Sequence, residues 1–309
     1  MGDREWLKPK LDQQTYVLKL ADRFAAYLAV VPVPTTPAAM GAELSNADAV
    51  DRDDPASLGR HMDRPYLELV GALLFLRLTR VDLLFSIGQC ARHMHHHGDR
   101  HWYAALRVLA YAVSTAPLGI YYWAPRASRG LPSYDVVLAA MSDASLARCP
   151  DSRKSTGAWV IFCNGGAVAA SSKKYSFVDL SSTSAELKAL SFAAIAVSGM
   201  RILLDCIGRP CAAPTLLVND CRSAIIVAEN PGKLRTRMNH LPTSAFKVRE
   251  CVKQALVDLC WAPTDLVAAD VLTKNLGAAK FRRFQAFLLN LPATQPVREL
   301  VTKLIKGFR

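Results

Sequence analysis

Apolar side chains recur at helical spacing through the first part of the chain, which predicts a mainly helical segment. One predicted helix spans residues 15–30, with its apolar positions at Tyr16, Leu20, Phe24 and Leu28. A proline-rich run at 31–37 ends this helix, and residues 38–64, rich in Asp, Ala and Ser, are predicted to form a flexible linker. The pattern over 65–116 predicts three further helices.

The pattern changes near Ala116-Pro117, where short β-rich runs begin to alternate with helical ones. Asn164-Gly165 lies between two such runs and is a strong signal for a two-residue hairpin turn. The predicted order β-β-β-α-β-α-α-β-α indicates an α/β domain with a mixed five-stranded sheet flanked by helices. The predicted strands are 136–141, 157–163, 166–171, 215–218 and 255–261. The predicted helices are 183–207, 223–229, 244–254 and 265–272.

Composition narrows the class of protein. The 309 residues are 51% hydrophobic and 21% charged, which is typical of a globular protein long enough for two domains. The net charge of +12 indicates a polyanionic partner such as nucleic acid, although basic proteins without one are common. Eight cysteines without a CxxC pair predict reduced thiols in an intracellular protein rather than disulfides or a zinc site. The charged N-terminus lacks a signal-peptide core and the apolar run 69–76 is too short to span a bilayer, so no membrane partner is predicted.

Four acidic residues stand at positions that suit metal ligands. Asp143 ends the first predicted strand, Glu186 lies in the first turn of the long helix, Asp220 ends the fourth strand, and Asp270 lies in the last helix. Taken singly, each is better explained as a helix cap or a solvated charge. Taken together they indicate phosphodiester hydrolysis with divalent ions, because rigid elements can aim carboxylates at hard cations.

Many short motifs occur in one order along the chain and carry a family resemblance. In the second half they are Ser142-Asp143-Ala144, Asp151-Ser152-Arg153-Lys154-Ser155-Thr156, Ser171-Ser172-Lys173-Lys174, Leu180-Ser181-Ser182-Thr183-Ser184-Ala185-Glu186, Asp220-Cys221-Arg222-Ser223-Ala224-Ile225, Arg235-Thr236-Arg237, His240, Val248-Arg249-Glu250 and Ala269-Asp270-Val271-Leu272-Thr273-Lys274. Upstream they are Pro65-Tyr66, Leu69-Val70-Gly71, Thr79-Arg80-Val81-Asp82 and His101-Trp102. The first set resembles the ribonuclease H region of copia-type LTR retrotransposon Pol polyproteins, and the second resembles the region that follows their polymerase core. The resemblance covers roughly residues 11–289.

The resemblance implies a ribonuclease H-like fold and an endonuclease that cuts the RNA strand of RNA–DNA hybrids. Two Mg²⁺ ions, replaceable by Mn²⁺, would be held by Asp143, Glu186, Asp220 and Asp270 as catalytic metal ligands. His240 is a candidate auxiliary residue for product release. Recognition would depend on 2′-hydroxyls and minor-groove shape rather than on base sequence. The candidate phosphate contacts are Arg153, Lys154, Lys173, Lys174, Arg222, Lys233, Arg235 and Arg237.

The resemblance also implies a division of the chain. Residues 1–37 would be a remnant of the polymerase edge, 38–64 the linker, 65–130 a helical connection segment, 131–280 the ribonuclease H-like domain, and 281–309 a basic helical tail. The polymerase's paired aspartates are absent, so this chain is not expected to polymerise DNA by itself. Other retroelement Pol or Gag products are candidate partners, and the cytoplasm, within virus-like particles, or the nucleus is the expected location.

The sequence departs from the family pattern around the acids. Leu146 and Cys221 replace a Trp and an Asn, and Ser184 replaces the first Glu of a motif. Pro242 replaces an Asp and Phe246 a His. Such losses around intact ligands weaken metal affinity and rate. One alternative is therefore a catalytically decayed fragment that folds and binds nucleic acid non-specifically without turnover. Another is an integrase or resolvase of the same fold, which predicts three essential acids rather than four.

Overall fold

The computed structural model describes residues 6–7, 9–51, 64–122, 124–125, 136–229 and 242–291. At its centre is a five-stranded sheet in the order β3-β2-β1-β4-β5. Its strands are β1 (Leu138–Ser145), β2 (Thr156–Cys163), β3 (Gly166–Lys174), β4 (Thr215–Asn219) and β5 (Val257–Trp261). β1, β2 and β3 pair antiparallel, whereas β4 and β5 run parallel to β1. The predicted mixed sheet is confirmed.

The hairpin between β2 and β3 forms at the predicted dipeptide. Asn164 and Gly165 have φ of 49° and 88°. Two successive residues with positive φ match the twist of the flanking strands, and Asn and Gly tolerate that conformation better than other residues do.

Three helices cover one face of the sheet: α6 (Ser182–Cys206), α7 (Arg222–Glu229) and α8 (Pro242–Lys253). By length and composition α6 could cross a membrane. Its buried residues Leu187, Leu190 and Val197 instead pack with Ala140 and Leu217 of the sheet. This burial explains why a helix of a folded core is so apolar.

The opposite face packs against residues from both ends of the chain. One apolar cluster joins Met141 and Val160 of the sheet to Leu106, from the helices that precede the sheet, and to Phe284, from the helix that follows it. The N-terminal helices are α1 (Gln14–Arg23), α2 (Ala25–Leu28), α3 (Tyr66–Leu76), α4 (Leu84–Ala91) and α5 (Asp99–Ser114), and the C-terminal helix is α9 (Ala278–Leu288). Two short antiparallel pairings join Trp6–Leu7 to Ala124–Pro125 and Lys10–Leu11 to Ile120–Tyr121.

A buried polar group ties α9 to the N-terminal helices. Arg80 and Asp82 form an ion pair of 2.9 Å whose side chains are 2% and 0% exposed. Gln285 of α9 donates a hydrogen bond to Asp82 Oδ2 (2.6 Å) and another to the hydroxyl of Tyr111 (2.8 Å). Buried charges are stable only when they are paired in this way, so the group also fixes how the elements meet.

Two predicted helices differ from the structure. The helix predicted over 15–30 breaks at Phe24, where φ is −105° and ψ is 17°, and the side chain is 1% exposed. The break lets Phe24 enter the core. The helix predicted over 265–272 is instead two 3-10 helices, Thr264–Leu266 and Ala268–Leu272, separated by extended Val267. All five residues of the second 3-10 helix are buried.

The described half of the predicted linker is held by hydrogen bonds. Asn275 Nδ2 donates to Ala42 O (2.7 Å), and Ser45 Oγ donates to Asp151 Oδ1 (2.6 Å). Residues 52–63 lie outside the described residues, so the flexible-linker prediction stays a prediction there. The predicted domain boundaries also stay predictions, and α9 runs across the one at 280/281.

Candidate metal centre

Three of the four predicted ligands converge at one end of the sheet. Asp143 lies near the end of β1 and Asp220 directly follows β4. Glu186 is the fifth residue of α6, just past the first turn in which the sequence placed it, because the helix begins at Ser182. One carboxylate oxygen from each lies within 4.8 Å of the other two. The parallel strands β1 and β4 end at the same edge, which brings the two aspartates together. Asp143 and Glu186 are buried, whereas Asp220 is half-buried.

Each of these carboxylates is positioned by a hydrogen bond from a neighbouring side chain. Asn219 Nδ2 donates to Glu186 Oε2 (3.0 Å), and Thr264 Oγ1 donates to Asp220 Oδ2 (2.7 Å). The hydroxyl of Thr273 donates to Asp143 Oδ2. The backbone amide of Ala144 adds a bond to Glu186 Oε1 (3.1 Å).

Sequence reasoning missed the positioning roles of Asn219, Thr264 and Thr273. A signal was present for two of them. Asn219 is a polar residue at the end of an apolar run directly before Asp220, and Thr273 follows the apolar pair Val271-Leu272 next to Asp270. For Thr264 no signal existed, because its contact with Asp220 spans 44 residues and depends on the parallel pairing of β4 and β5.

Burial, reinforced by like charges, raises the pKa values of the carboxyl groups in the cluster. Burial raises the pKa of Asp143, and the nearby charge of Asp270 raises it further. Burial also raises the pKa of Glu186, with the charge of Asp143 as the next cause, while the bond from Asn219 opposes the shift. Ionised, these groups repel one another at a site with little solvent to screen them. A bound cation would relieve this repulsion.

Asp270, the fourth predicted ligand, lies beside this group with its own cationic partners. Its side chain is fully buried and forms ion pairs with Lys274 and with Lys280, the latter at 2.8 Å from Oδ2. It is not among the three acids whose oxygens share the 4.8 Å limit. The structure therefore brings together Asp143, Glu186 and Asp220. Asp270 forms ion pairs with two lysines, and its charge acts on Asp143.

The predicted phosphate contacts that the structure describes lie toward the same end of the sheet. Arg153 and Lys154 precede β2, Lys173 and Lys174 end β3, and Arg222 begins α7. Exposed Arg222 stacks on the ring of Trp261 at 3.8 Å, and Trp261 donates a hydrogen bond to Asp220 O (2.9 Å). The other predicted residues, Lys233, Arg235, Arg237 and His240, lie outside the described residues.

Comparison with known proteins finds related polyproteins. No family model matches the chain. It is 29% identical over 274 residues to the retrovirus-related Pol polyprotein from transposon RE2 of Arabidopsis thaliana, covering 89% of this chain and 18% of that polyprotein. It is 37% identical over 128 residues to secreted RxLR effector protein 161 of Plasmopara viticola, covering 41% of this chain and 84% of that protein. Among solved structures, ribonuclease H1 from Halobacterium salinarum is 18% identical, with a TM-score of 0.33, covering 44% of this chain and 93% of that one.

The sequence motifs, the sheet and the relatives agree. The mixed sheet has the ribonuclease H-like arrangement that the motifs predicted, with acids at the edge where β1 and β4 end. The chain spans about a fifth of the length of the polyprotein it matches. Over 89% of its length the chain is therefore similar to retrovirus-related Pol polyproteins of copia-type transposons, the group that its motifs resemble.

Proposed function

We propose that this chain is a divalent-metal-dependent endonuclease that hydrolyses the RNA strand of RNA–DNA hybrids. The observation that carries the proposal is the convergence of Asp143, Glu186 and Asp220 from three separate elements to within 4.8 Å. A single acid at the end of a strand is ordinary. Three buried or half-buried acids facing one another are stable only with a partner cation or a proton.

The donor set fits Mg²⁺, with Mn²⁺ as a substitute, because all three groups offer carboxylate oxygens, the ligands that hard cations prefer. Such an ion, when bound, supplies Lewis-acid assistance to the attacking water and the leaving oxygen. The chain's own residues hold the carboxylates in place. Asn219 orients Glu186, Thr264 orients Asp220, and Thr273 orients Asp143. Hydrogen bonds of this kind to ligating groups typically change metal affinity or activity by about 10–100-fold.

The similarity to Pol polyproteins and the cationic surface support a nucleic-acid substrate. Arg153, Lys173 and Arg222 are exposed toward the end of the sheet that carries the acids. Phosphate contacts bind without reading sequence, and contacts to 2′-hydroxyls would select the RNA strand. The contacts proposed for Lys154, Lys174, Lys233, Arg235 and Arg237, and the auxiliary role of His240, stay predictions.

The test is cleavage of an end-labelled RNA–DNA hybrid in Mg²⁺ or Mn²⁺, with EDTA, double-stranded RNA and double-stranded DNA as further arms. Asp143→Asn removes one charge from the centre, and Asp258→Asn removes one from an exposed position on β5. We expect the wild type and Asp258→Asn to cut only the RNA strand. Asp143→Asn and the EDTA arm should show no cutting. Equal cutting by both variants, or cutting of DNA strands, would refute the proposal.

A second candidate is the decayed fragment, favoured by two exposed apolar residues that replace residues of the family pattern. Leu146 and Phe246 are 38% and 56% exposed and stand where the family has a Trp and a His. This candidate predicts that the hybrid binds with steep salt dependence and remains uncut in both metals. Binding without turnover in the wild type would therefore select it over the nuclease.

A further inference from the structure

Helix α6 carries apolar side chains on an exposed face as well as on its buried one. The exposed residues recur at i, i+3, i+7, i+10, i+11 and i+14, and together they form what we call the α6 stripe: Phe192, Ile195, Gly199, Ile202, Leu203 and Cys206. Alternating steps of three and four residues are typical of a helix face that packs along another helix. Contacts with the sheet explain the buried face of α6 but not this one.

The α6 stripe is large for a surface that faces only solvent. Its four large side chains, those of Phe192, Ile195, Ile202 and Leu203, are between 46% and 64% exposed. They form an apolar patch of several hundred Å², comparable with the patches of about 300–600 Å² that are often functional on monomers. Paired with an equal patch, the stripe would bury on the order of 1,000 Å² in total, which is enough for a small specific interface.

The charges around the α6 stripe favour a protein partner over nucleic acid or an anionic membrane, since both of those need cations beside the contact face. Over residues 192–206 the only charged side chains are Arg201 and Asp205, whose charges cancel. The Arg201 guanidinium donates hydrogen bonds to Ala213 O (2.8 Å) and to Thr215 Oγ1 (3.2 Å). Arg201 is therefore held by the segment that leads into β4.

A second copy of this chain fits the α6 stripe, because the stripe is complementary to itself in the antiparallel orientation. A two-fold axis close to Gly199 places Phe192 of one copy beside Cys206 of the other. The same axis places Ile195 beside Ile202. A Cβ atom added at Gly199 would meet no atom within 4 Å, so the backbone there is open to close approach. Copies with a net charge of +12 repel one another over most of their surface, and the stripe is a stretch without net charge.

We propose that the α6 stripe is a homodimer interface, in which α6 packs antiparallel against α6 of a second copy about a two-fold axis close to Gly199. Gly199 lies about 20 Å along the helix from Glu186, so the contact is separate from the acid cluster. The proposal is independent of the proposed nuclease function. Metal-free protein without nucleic acid is therefore sufficient to test it.

The test measures the mass of the full chain by sedimentation velocity in EDTA and a thiol reductant, which keeps exposed Cys206 from forming a disulfide. We expect the wild type to dimerise with a dissociation constant on the order of 10 µM. Ile202→Lys places two unpaired charges in the symmetric interface and should raise this constant by at least about 100-fold. Leu78→Lys is the matched control, because Leu78 is 65% exposed, against 64% for Ile202, and lies beyond the end of α3. It adds the same charge and should leave the dimer intact.

A mixing experiment tests the orientation of the two helices. Ile195→Glu alone should also abolish the dimer, because it buries an unpaired carboxylate. An equimolar mixture of the Ile195→Glu and Ile202→Lys chains should form a heterodimer, since the antiparallel arrangement brings the new glutamate beside the new lysine. A parallel pair would leave both charges opposite isoleucine, so a mixture that stays monomeric would refute the antiparallel interface.

A wild type that is monomeric up to about 200 µM would overturn the proposal without any variant. The same holds if this monomer binds vesicles of neutral phosphatidylcholine, because the α6 stripe would then be a membrane-contacting face. A dimer that persists in a folded Ile202→Lys chain, with folding checked by circular dichroism, would place the interface elsewhere and overturn it as well.

Discussion

Removal of the Asn219 side chain probes how much the metal centre depends on one buried amide. Asn219 is fully buried at the end of β4. Its Nδ2 donates to Glu186 Oε2 (3.0 Å) and to Ser142 O (3.0 Å), and its Oδ1 accepts from Cys221 N (2.8 Å). The side chain thus joins β1, α6 and the residue after Asp220. Asn219→Ala deletes all of these bonds and adds no charge.

The expected loss follows from these contacts. A hydrogen bond to a charged group contributes about 1.5–3 kcal/mol, and a buried donor left unsatisfied costs about 1–3 kcal/mol. Because the terms overlap, we expect the free energy of unfolding to fall by about 2–4 kcal/mol. The Asn219 bond also opposes the raised pKa of Glu186. Without it Glu186 holds its proton more tightly, and Mn²⁺ affinity should fall by about 10–100-fold.

Urea unfolding in EDTA measures the first quantity, and Mn²⁺ titration calorimetry measures the second. Asn46→Ala is the matched control, because Asn46 is exposed and its backbone amide, not its side chain, bonds to Asp151. It should change the free energy of unfolding by less than about 0.5 kcal/mol. A folded Asn219→Ala protein that keeps wild-type Mn²⁺ affinity, or loses under about 1 kcal/mol, would refute the reasoning.

Two further predictions concern the charges of the site. The pKa values of Asp143 and Glu186 are raised in the folded protein, so their contribution favours folding at low pH and is lost as pH rises from the ordinary carboxyl range near about 4. Thermal unfolding should therefore show metal-free stability falling toward neutral pH and Mg²⁺ restoring it; a metal-free protein whose melting temperature rises over this range contradicts the argument. Arg222→Ala should weaken hybrid binding and reduce the slope of log affinity against log salt by about 0.9, whereas exposed Lys19→Ala on α1 should leave the slope unchanged. Equal slopes for the wild type and both variants would exclude a phosphate contact at Arg222.

Local patterns were enough to predict the sheet. Each strand is a short apolar run bounded by turn residues, and the Asn164-Gly165 dipeptide identifies its hairpin without tertiary information. The acids at strand ends were predictable for the same reason. Because the carboxyl ends of the parallel strands β1 and β4 share an edge, finding those strands also located Asp143 and Asp220.

Tertiary contacts decided what the sequence did not predict. The chain leaves helical geometry at Phe24 because its ring is buried in the core, although the apolar spacing continues through Leu28. The partners of Asp270 include Lys280, which comes from α9 and reaches the acid only through the packing of that helix. The hydrophobic periodicity of the sequence predicts neither the break at Phe24 nor the Lys280–Asp270 ion pair. Each depends on which distant element packs against the residue.

The two parts of the chain meet at the segment that carries Asp270, Thr273 and Lys274. Leu272 O accepts from Ser172 Oγ of β3 (2.6 Å), which fixes the segment to the sheet. Two residues after Thr273, Asn275 Nδ2 donates to Gln89 Oε1 of α4 (2.9 Å) and to Ala42 O (2.7 Å). The position of Thr273, and therefore its hydrogen bond to Asp143, depends on the N-terminal helices as well as on the sheet. The helical segment is part of the structure that positions the acids, because it supports the side of the centre that α6 does not cover.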